Sequence, residues 1–395
     1  MRERWTDHRT RLLAAPLVVL IVAMVPAGAV QSQDTKPIVI AVPVGLSGVN
    51  SVVAPAVVQS GELAVEEINA KGGVLGRKIQ LVPLDDESGP AGAVKAFNTA
   101  IRQHKADTII TMETSAARNA GLPIVTRGKV PFIYTSLYEG RSCNRYLYCD
   151  APVPEQMVGP IVDHFMKQGA KNFFLVGSDY AFGRGMLAYT RKYIEGKGAK
   201  VIGDEYQPMD ATDWTAVISK MRTANPDAVI MSTAGGAPNV TLTKQYKDAG
   251  MKALIGNLSV DEGTAKSMGK DAEGTFITAS YLTTLDSPKA KEFLAAMQKK
   301  FGANLKTPND LSVPEYDAIY LYKAAVEKAK STDADAVVKA LAEVSFDGPR
   351  GVVKMNKQRH APLNMYLGQV QGDGSVKIIE TFKNVDPGDQ CPNLK

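Results

Sequence analysis

Short apolar segments alternate with amphipathic segments of helical length along the first 150 residues. The apolar segments are rich in β-branched residues and predict buried strands at 38–48, 79–88, 108–113 and 130–136. The stretches between them repeat apolar positions every three or four residues and predict helices at 55–70, 91–104 and 116–125. Because strands joined through helices run parallel, this part of the chain is expected to form a parallel sheet with helices on both faces.

The alternation restarts after Asp150 and predicts a second α/β unit, as expected for a chain of 395 residues, which is too long for one ordinary core. Its strands are predicted at 171–178, 199–206, 227–233, 251–256 and 274–282, and its helices at 155–168, 184–197, 214–223 and 238–249. Helices at 289–301, 314–330 and 333–344 exceed the needs of this unit and can return to cover the first sheet. Short strands are expected at 351–355, 363–370 and 375–382, followed by a solvated tail at 383–395.

The first 29 residues have the pattern of a secretory signal peptide. Four arginines precede an apolar core at 15–25 that is too short to span a bilayer, and Ala27-Gly28-Ala29 gives a small-x-small cleavage pattern. The alternative is an uncleaved membrane anchor. Removal of the leader takes away four bases and two acids and leaves a net charge of +3. The mature protein is therefore expected to be exported to the periplasm and only mildly basic.

The sequence lacks the motifs that indicate several classes of function. No basic cluster with interleaved aromatic residues indicates nucleic-acid binding, and no phosphate-binding loop indicates a nucleotide cofactor. The histidines at 104, 164 and 360 have no metal-ligand spacing, and no nucleophile motif such as GxSxG is present. The sequence thus predicts no cofactor, no metal and no enzymatic activity.

Two cysteines, Cys143 and Cys149, are separated by five residues in a predicted loop without proline. Export makes a disulfide chemically available, so we predict a Cys143–Cys149 bridge that shapes the local loop. The alternative is a pair of free thiols. Cys391 has no assigned partner.

Small, hydroxylic and aromatic residues follow the predicted strands of both units. Ser115 follows the strand at 108–113, and Tyr134 and Ser136 end the strand at 130–136. In the second unit, GSDYAFG (177–183) and STAGGAPN (232–239) stand at equivalent positions. Because open α/β sheets bind ligands at the carboxyl ends of their strands, these residues predict a cleft between the two units. The alternative is that turns simply require glycine and serine.

An ordered series of motifs over nearly all of the mature chain resembles one family, the type I periplasmic solute-binding proteins of ABC importers for branched-chain amino acids. The nearest branch is that of the urea and short-chain amide binders. The resemblance rests on EEINAKGGVLGRKIQLVPLDDES, YTSLYEG, APVPEQ, NFFLVGSDYAFGR, STDADAVVKAL and SFDGPRGVVKMNKQRH. It implies an α/β fold of two doubly wound parallel-sheet lobes joined by a three-strand hinge. One lobe would comprise 38–150 with 282–345, and the other 151–281 with 346–382.

The resemblance also implies roles for individual residues. Ser115 and Ser136 would hydrogen-bond the carboxylate or amide of the ligand, Tyr134 would wall the pocket, and Asp261 would hold a ligand ammonium. The second lobe would contact the ligand through Tyr180, Phe182, Gly235 and Gly236. Amide binders often carry an acid near these glycines, and this chain has none there.

Glu113 is a second departure, because the amide binders carry an aromatic residue at this position. An acid two residues before Ser115 points to the same side of an extended chain. We predict that Glu113 meets a cationic group of the ligand. The alternative is that it pairs with a base of the protein, Arg118 or Arg141.

The sequence therefore predicts a periplasmic solute-binding component of an ABC importer. It would capture an amino acid, an amide or a urea-like ligand between its lobes and deliver it to the membrane permease subunits. The alternative from another class is a ligand sensor of the amide-responsive type, which acts on a transcriptional partner. An enzyme is the third possibility, and we expect no turnover.

Overall fold

The computed structural model describes residues 1–6, 36–87 and 89–394. The predicted signal peptide at 1–29 lies outside the described residues except for its first six. Within the described residues, no helix combines the length and apolarity that a bilayer crossing requires.

The first sheet contains five parallel strands in the order β2-β1-β3-β4-β5. Its strands are β1 (Ile38–Val44), β2 (Ile79–Asp85), β3 (Thr108–Thr111), β4 (Phe132–Tyr134) and β5 (Leu147–Cys149). Their connecting helices are α1 (Ala54–Ala70), α2 (Pro90–Arg102) and α3 (Ser115–Gly128). The first four strands confirm the prediction, whereas β5 lies in a segment that was expected to be a loop.

The second sheet contains seven strands in the order β14-β13-β10-β9-β8-β6-β7. Its parallel strands are β6 (Asn172–Ser178), β7 (Lys200–Gln207), β8 (Ala228–Ser232), β9 (Leu254–Asn257) and β10 (Phe276–Ala279). Two antiparallel strands complete one edge, β13 (Leu363–Val370) and β14 (Val376–Val385). The helices of this part are α4 (Pro154–Lys167), α5 (Ala181–Gly196), α6 (Thr215–Ala224), α7 (Ala237–Asp248) and α8 (Glu262–Met268).

Three later helices return to the first sheet. They are α9 (Pro288–Phe301), α10 (Val313–Ala329) and α11 (Ala334–Leu341). Helices α9 and α10 contact α1, α10 also contacts β3, and α11 packs on α10. A two-stranded ladder, β11 (Phe346–Gly348) with β12 (Gly351–Val353), then leads back toward the second sheet. These helices pack against the first sheet and its helices rather than against the second sheet. This explains why the chain has more helices after β6 than are needed to cover the second sheet.

Arg350 joins the three chain segments that pass between the two sheets. These segments follow β5, follow β10 and include the β11–β12 ladder. The buried guanidinium donates to the Asp150 carbonyl at 2.9 Å, the Asp150 carboxylate at 3.0 Å, the Asp317 carboxylate at 2.7 Å and Ser280 Oγ at 3.3 Å. The planar fork of arginine suits such a multidentate contact, so one side chain fixes the three crossings against each other.

The disulfide joins Cys143 to Cys391, so the predicted Cys143–Cys149 bridge is wrong. Cys149 is a free and buried thiol in β5, where its side chain packs in the core of the first sheet. The expected solvated tail at 383–395 is also wrong in part, because β14 extends to Val385 and Gln390 and Cys391 are buried. The end of the chain is thereby attached to the segment that follows β4.

Candidate functional site: a cleft between two sheets

A cavity of about 40 Å³ lies where the carboxyl ends of strands from both sheets meet. Its walls combine apolar, aromatic and hydroxylic side chains with one acid. The lining residues are Asn50, Met112, Glu113, Thr114, Ser115, Ser136, Leu137, Tyr180, Phe182, Thr233, Gly235, Ser259 and Leu311. The cavity is thus built from both sheets, at the position where open α/β folds bind ligands.

The start of α3 forms part of the first wall. Thr114 caps this helix, and its side chain accepts a hydrogen bond from Ala117 N at 3.1 Å. Ser115 therefore stands in the first turn, where backbone N–H groups are left without helical partners. Such a helix start favours a carbonyl or other electronegative group of a ligand.

Behind Ser115 lies a buried ion pair. Ser115 Oγ donates to Glu139 Oε2 at 2.5 Å, and Arg118 Nη2 donates to Glu139 Oε1 at 2.6 Å. Arg118 also donates to Ser115 Oγ at 3.3 Å. The hydroxyl hydrogen of Ser115 is therefore directed at the protein, and the side chain presents an acceptor to the cavity.

Tyr134 supports the wall without lining the cavity. Its hydroxyl donates to the backbone carbonyl of Glu113 at 2.5 Å. The Arg118 guanidinium lies 5.0 Å from the centroid of the Tyr134 ring and 4.6 Å from that of Tyr138. Burial is the main cause that raises the pKa of Tyr134, and the effects of the neighbouring charges partly cancel. The hydroxyl therefore stays neutral and donates the hydrogen bond that holds the Glu113 backbone in place.

Glu113 lines the cavity and forms no ion pair with a base among the described residues. Its carboxyl group accepts hydrogen bonds from the backbone N–H of Gly45 and from that of Thr114, the latter at 2.8 Å. Burial, followed by the nearby Asp86, raises the pKa of Glu113 well above its usual range. The alternative that Glu113 pairs with Arg118 or Arg141 is wrong.

The bases named in that alternative have other partners. Arg118 pairs with Glu139 at 2.6 Å, and Arg141 pairs with Glu155 at 2.5 Å. In the part of the chain that the structure describes, the carboxyl group of Glu113 thus has two backbone N–H groups and a second acid, Asp86, as its hydrogen-bond partners.

Two aromatic residues from the second sheet close the opposite wall. Tyr180 directly precedes α5 after β6, and Phe182 lies in the first turn of that helix. Their ring centroids are 6.0 Å apart at an interplanar angle of 47°. The rings cover the cavity with apolar surface and leave the Tyr180 hydroxyl as its polar handle.

Hydroxyls after β8 and β9 complete this wall. Thr233 donates to Asn239 Oδ1 at 2.6 Å, and Ser259 Oγ lies 3.1 Å from Asn257 Oδ1. Asn239 Nδ2 in turn donates to the Ser259 carbonyl at 3.3 Å. This amide network holds both hydroxyls in place and leaves acceptor lone pairs toward the cavity.

The two glycines after β8 lie against the loop after β1. A Cβ on Gly235 would be 3.2 Å from Asn50 Oδ1, whereas a Cβ on Gly236 would be 2.2 Å from the Val49 carbonyl. Gly236 also has a φ of 68°, which favours glycine. Gly235 lines the cavity, while Gly236 permits the close approach of the two sides.

Asp261 does not line the cavity and caps α8 instead. One carboxylate oxygen accepts from Gly263 N at 2.7 Å and Thr264 N at 3.2 Å, and the other accepts from the Thr264 hydroxyl at 2.6 Å. Its hydrogen bonds are thus satisfied within its own helix start.

Six of the nine predicted site residues line one cavity: Glu113, Ser115, Ser136, Tyr180, Phe182 and Gly235. Tyr134, Gly236 and Asp261 do not. Sequence reasoning missed Asn50, Thr114, Thr233 and Ser259 as lining residues. The signal that could have found Thr114, Thr233 and Ser259 is their place within a few residues of the carboxyl end of a parallel strand.

Comparison with known proteins identifies relatives over most of the chain. The model of the periplasmic binding protein family matches residues 37–375. The Leu/Ile/Val-binding protein homolog 3 of Brucella melitensis is 30% identical over 298 residues, which cover 71% of this chain and 76% of that protein. An ABC transporter solute-binding protein from R. palustris in complex with benzoate has a TM-score of 0.81 and 22% identity, covering 90% of this chain and 99% of its own.

A further structural neighbour is the branched-chain amino acid transporter substrate-binding protein of Streptococcus pneumoniae in complex with isoleucine. Its TM-score is 0.78 at 24% identity, and the match covers 88% of this chain and 100% of its own. These homologues are solute-binding proteins without enzymatic activity, which agrees with the expectation from the sequence. The chain belongs to the type I periplasmic binding protein family.

Proposed function

We propose that this protein captures a small polar ligand, either an amino acid, an amide or a urea-like compound, in the cleft between its two sheets. The loaded protein then delivers the ligand from the periplasm to the permease subunits of an ABC importer. The observation that carries the proposal is the convergence of Ser115 and Ser136 from one sheet with Tyr180 and Phe182 from the other around a single cavity.

The binding mechanism follows from this two-sided wall. A ligand that contacts only one side gains half of its interactions, whereas closure of the cleft completes them, so ligand shifts the population toward the closed form. The lobes would comprise 38–150 with 282–345 and 151–281 with 346–382. Motion between them would pass through the three crossings that Arg350 joins.

Within the family, we propose a ligand of the kind taken by the urea and short-chain amide binders or by the amino acid binders. Support comes from the mixed polarity of the first wall. The start of α3 offers N–H donors to a carbonyl oxygen, while the Glu113 carboxyl faces the donor side of a ligand. Short amides, ureas and amino acids all carry both kinds of group.

Ligand screening by thermal shift tests the proposal directly. Urea, short amides and amino acids are added to the mature protein, and a true ligand raises the melting temperature in a concentration-dependent manner. Substitution of Phe182 by Ala removes an aromatic ring from the cavity wall and should abolish the shift. The control is Phe301→Ala, which removes a ring at the end of α9 and should keep the shift. Capture is refuted if no compound raises the melting temperature of the wild-type protein. It is also refuted if F182A retains the shift.

Export is tested separately. Cells that express the full chain are fractionated, and the protein is expected in the periplasmic extract. Recovery of the protein only from the cytoplasm would favour the sensor alternative over the importer component.

A further inference from the structure

The cavity contains one acid and no base. Among the described residues that line it, Glu113 is the one side chain with a carboxyl group, and none is lysine, arginine or histidine. An anionic ligand buried there would have no cationic side chain to compensate its charge.

The nearest buried arginine is already neutralised. Arg118 lies behind Ser115 and forms an ion pair with Glu139 at 2.6 Å. It also donates to Asn119 Oδ1 at 3.0 Å. Its side chain is 2% exposed and does not line the cavity, so it is not available to a ligand carboxylate.

Glu113 also occupies donors that an anion would need. It takes the N–H of Gly45, which follows β1, and the N–H of Thr114, which precedes α3. Strand ends and helix starts of this kind are where anions ordinarily bind. A protein carboxyl therefore fills the place of a ligand carboxylate.

A second acid lies behind this wall. Asp86 lies at the end of β2 next to Glu113 and is fully buried. Two adjacent carboxyls in a buried site resist any further negative charge near them, so this wall disfavours a ligand carboxylate.

The hydrogen bonds of the hydroxyl groups in the wall also disfavour an anionic ligand. Ser115 donates its hydrogen to Glu139, Ser136 donates to the Leu137 carbonyl at 3.2 Å, and Thr233 donates to Asn239. Each therefore presents lone pairs rather than a hydrogen to the ligand, which favours ligand groups that donate hydrogen bonds.

We propose that Glu113 determines specificity by excluding ligands with a net negative charge, so that the cleft admits neutral, zwitterionic and cationic solutes. This inference rests on the proposed capture function and narrows its ligand class. It separates this chain from the structural neighbour of R. palustris, which was crystallised with benzoate.

Isosteric ligand pairs that differ in charge test the proposal. Binding of benzamide and benzoate, and of acetamide and acetate, is measured by calorimetry at neutral pH on the wild-type protein and on Glu113→Gln. The wild-type protein is expected to prefer the amide of a pair by about tenfold or more, because a ligand carboxylate meets an acid in a partly desolvated site that has no base in its lining. In E113Q, the preference should fall to about threefold or less because the carboxylate of the ligand no longer meets an acid.

The matched control is Glu262→Gln. Glu262 is also a buried acid that accepts a backbone N–H, from Thr283 at 2.7 Å, but it does not line the cavity. E262Q should keep the wild-type preference. Circular dichroism melts verify that both variants fold, and Glu113→Asp, which keeps the carboxyl group, should also retain the preference if E113Q does not fold.

The outcomes separate the two proposals. Equal binding of benzoate and benzamide by the wild-type protein, or an unchanged preference in E113Q, overturns the role of Glu113 and leaves capture intact. Failure of all four compounds to bind, together with failure of the broader screen, overturns the capture function and this inference with it.

Discussion

Substitution of Arg350 by Met is predicted to destabilise the protein more than any exposed charge removal. Methionine keeps much of the side-chain volume but leaves Asp150 and Asp317 buried without their cationic partner. Removing one member of a buried ion pair typically costs about 3–5 kcal/mol, because the remaining charge is uncompensated. The Asp150 carbonyl and Ser280 Oγ lose donors as well, so we expect a loss near the upper end of that range.

The control is Arg184→Met. Arg184 pairs with Asp179 at 2.5 Å, as close a contact as those of Arg350, but both side chains are about half exposed. An exposed pair contributes roughly 0–1 kcal/mol because water screens the charges. The two variants thus remove the same chemical group and differ in burial.

Urea unfolding followed by circular dichroism gives the free energy of unfolding of each protein from the transition midpoint and slope. The account predicts a loss several times larger for R350M than for R184M. Equal losses, each at or below about 1 kcal/mol, would refute the reasoning that this buried arginine holds the crossings together.

The cost of R350M should also depend on pH. Burial raises the pKa of Asp150 to about 7 and that of Asp317 to about 6, even though Arg350 lowers both. Without the arginine, both pKa values rise further, so protonation relieves the unpaired charges at low pH. The destabilisation should therefore be smaller at pH 5 than at pH 8, and a pH-independent cost would contradict this.

Three further changes have defined outcomes. Burial raises the pKa of Glu315 to about 8, so wild-type stability should fall as pH rises from its unfolded value of 4.5 through 8, and Glu315→Gln should flatten that fall in urea unfolding series. Cys391→Ala removes a disulfide between residues 248 positions apart in sequence and should lower the free energy of unfolding by up to about 5 kcal/mol. Cys149→Ala removes a buried free thiol and should lower it by about 1 kcal/mol. Gly236→Ala should weaken ligand binding about tenfold or more because its Cβ would meet the opposite loop at 2.2 Å, whereas Gly250→Ala, which has the same φ of 68° and no atom within 4 Å, should leave binding unchanged.

Each of these is contradicted by a specific result. If the free energy of unfolding of the Glu315 variant falls with pH as steeply as that of the wild-type protein, the ionisation of Glu315 is not the source of the pH dependence. Equal melting points of the two cysteine variants would contradict a stabilising bridge, and equal affinities of the two glycine variants would contradict closure at Gly236.

The fold could be predicted because the spacing of apolar residues and the length of apolar segments are local properties of the sequence. The ends of β3 and β6 likewise identified Ser115 and Tyr180, since topology brings carboxyl ends of parallel strands to one edge. Strand β5 was missed because its three residues do not belong to a longer apolar segment, whereas the three residues of β4 lie within the one at 130–136. Such a short strand is fixed by pairing with its neighbour rather than by its sequence.

The partners of polar groups could not be predicted. Cys143 is far from Cys391 in sequence, and their bond depends on where the last strand ends in space. Glu113 meets Asp86 because β1, β2 and β3 are neighbours, a relation that residue types do not encode. The family resemblance implied an ammonium site at Asp261, but the capping of α8 already satisfies its carboxylate.

Distance measurement between the two sides of the cleft tests the central claim most directly. Spin labels are attached through Glu62→Cys on α1 and Lys244→Cys on α7, both exposed positions on opposite sides. Electron–electron resonance then gives the distance distribution with and without the best ligand from the thermal-shift screen. The account predicts that ligand shortens and narrows the distribution. An identical distribution at saturating ligand would contradict capture by closure of the two sides.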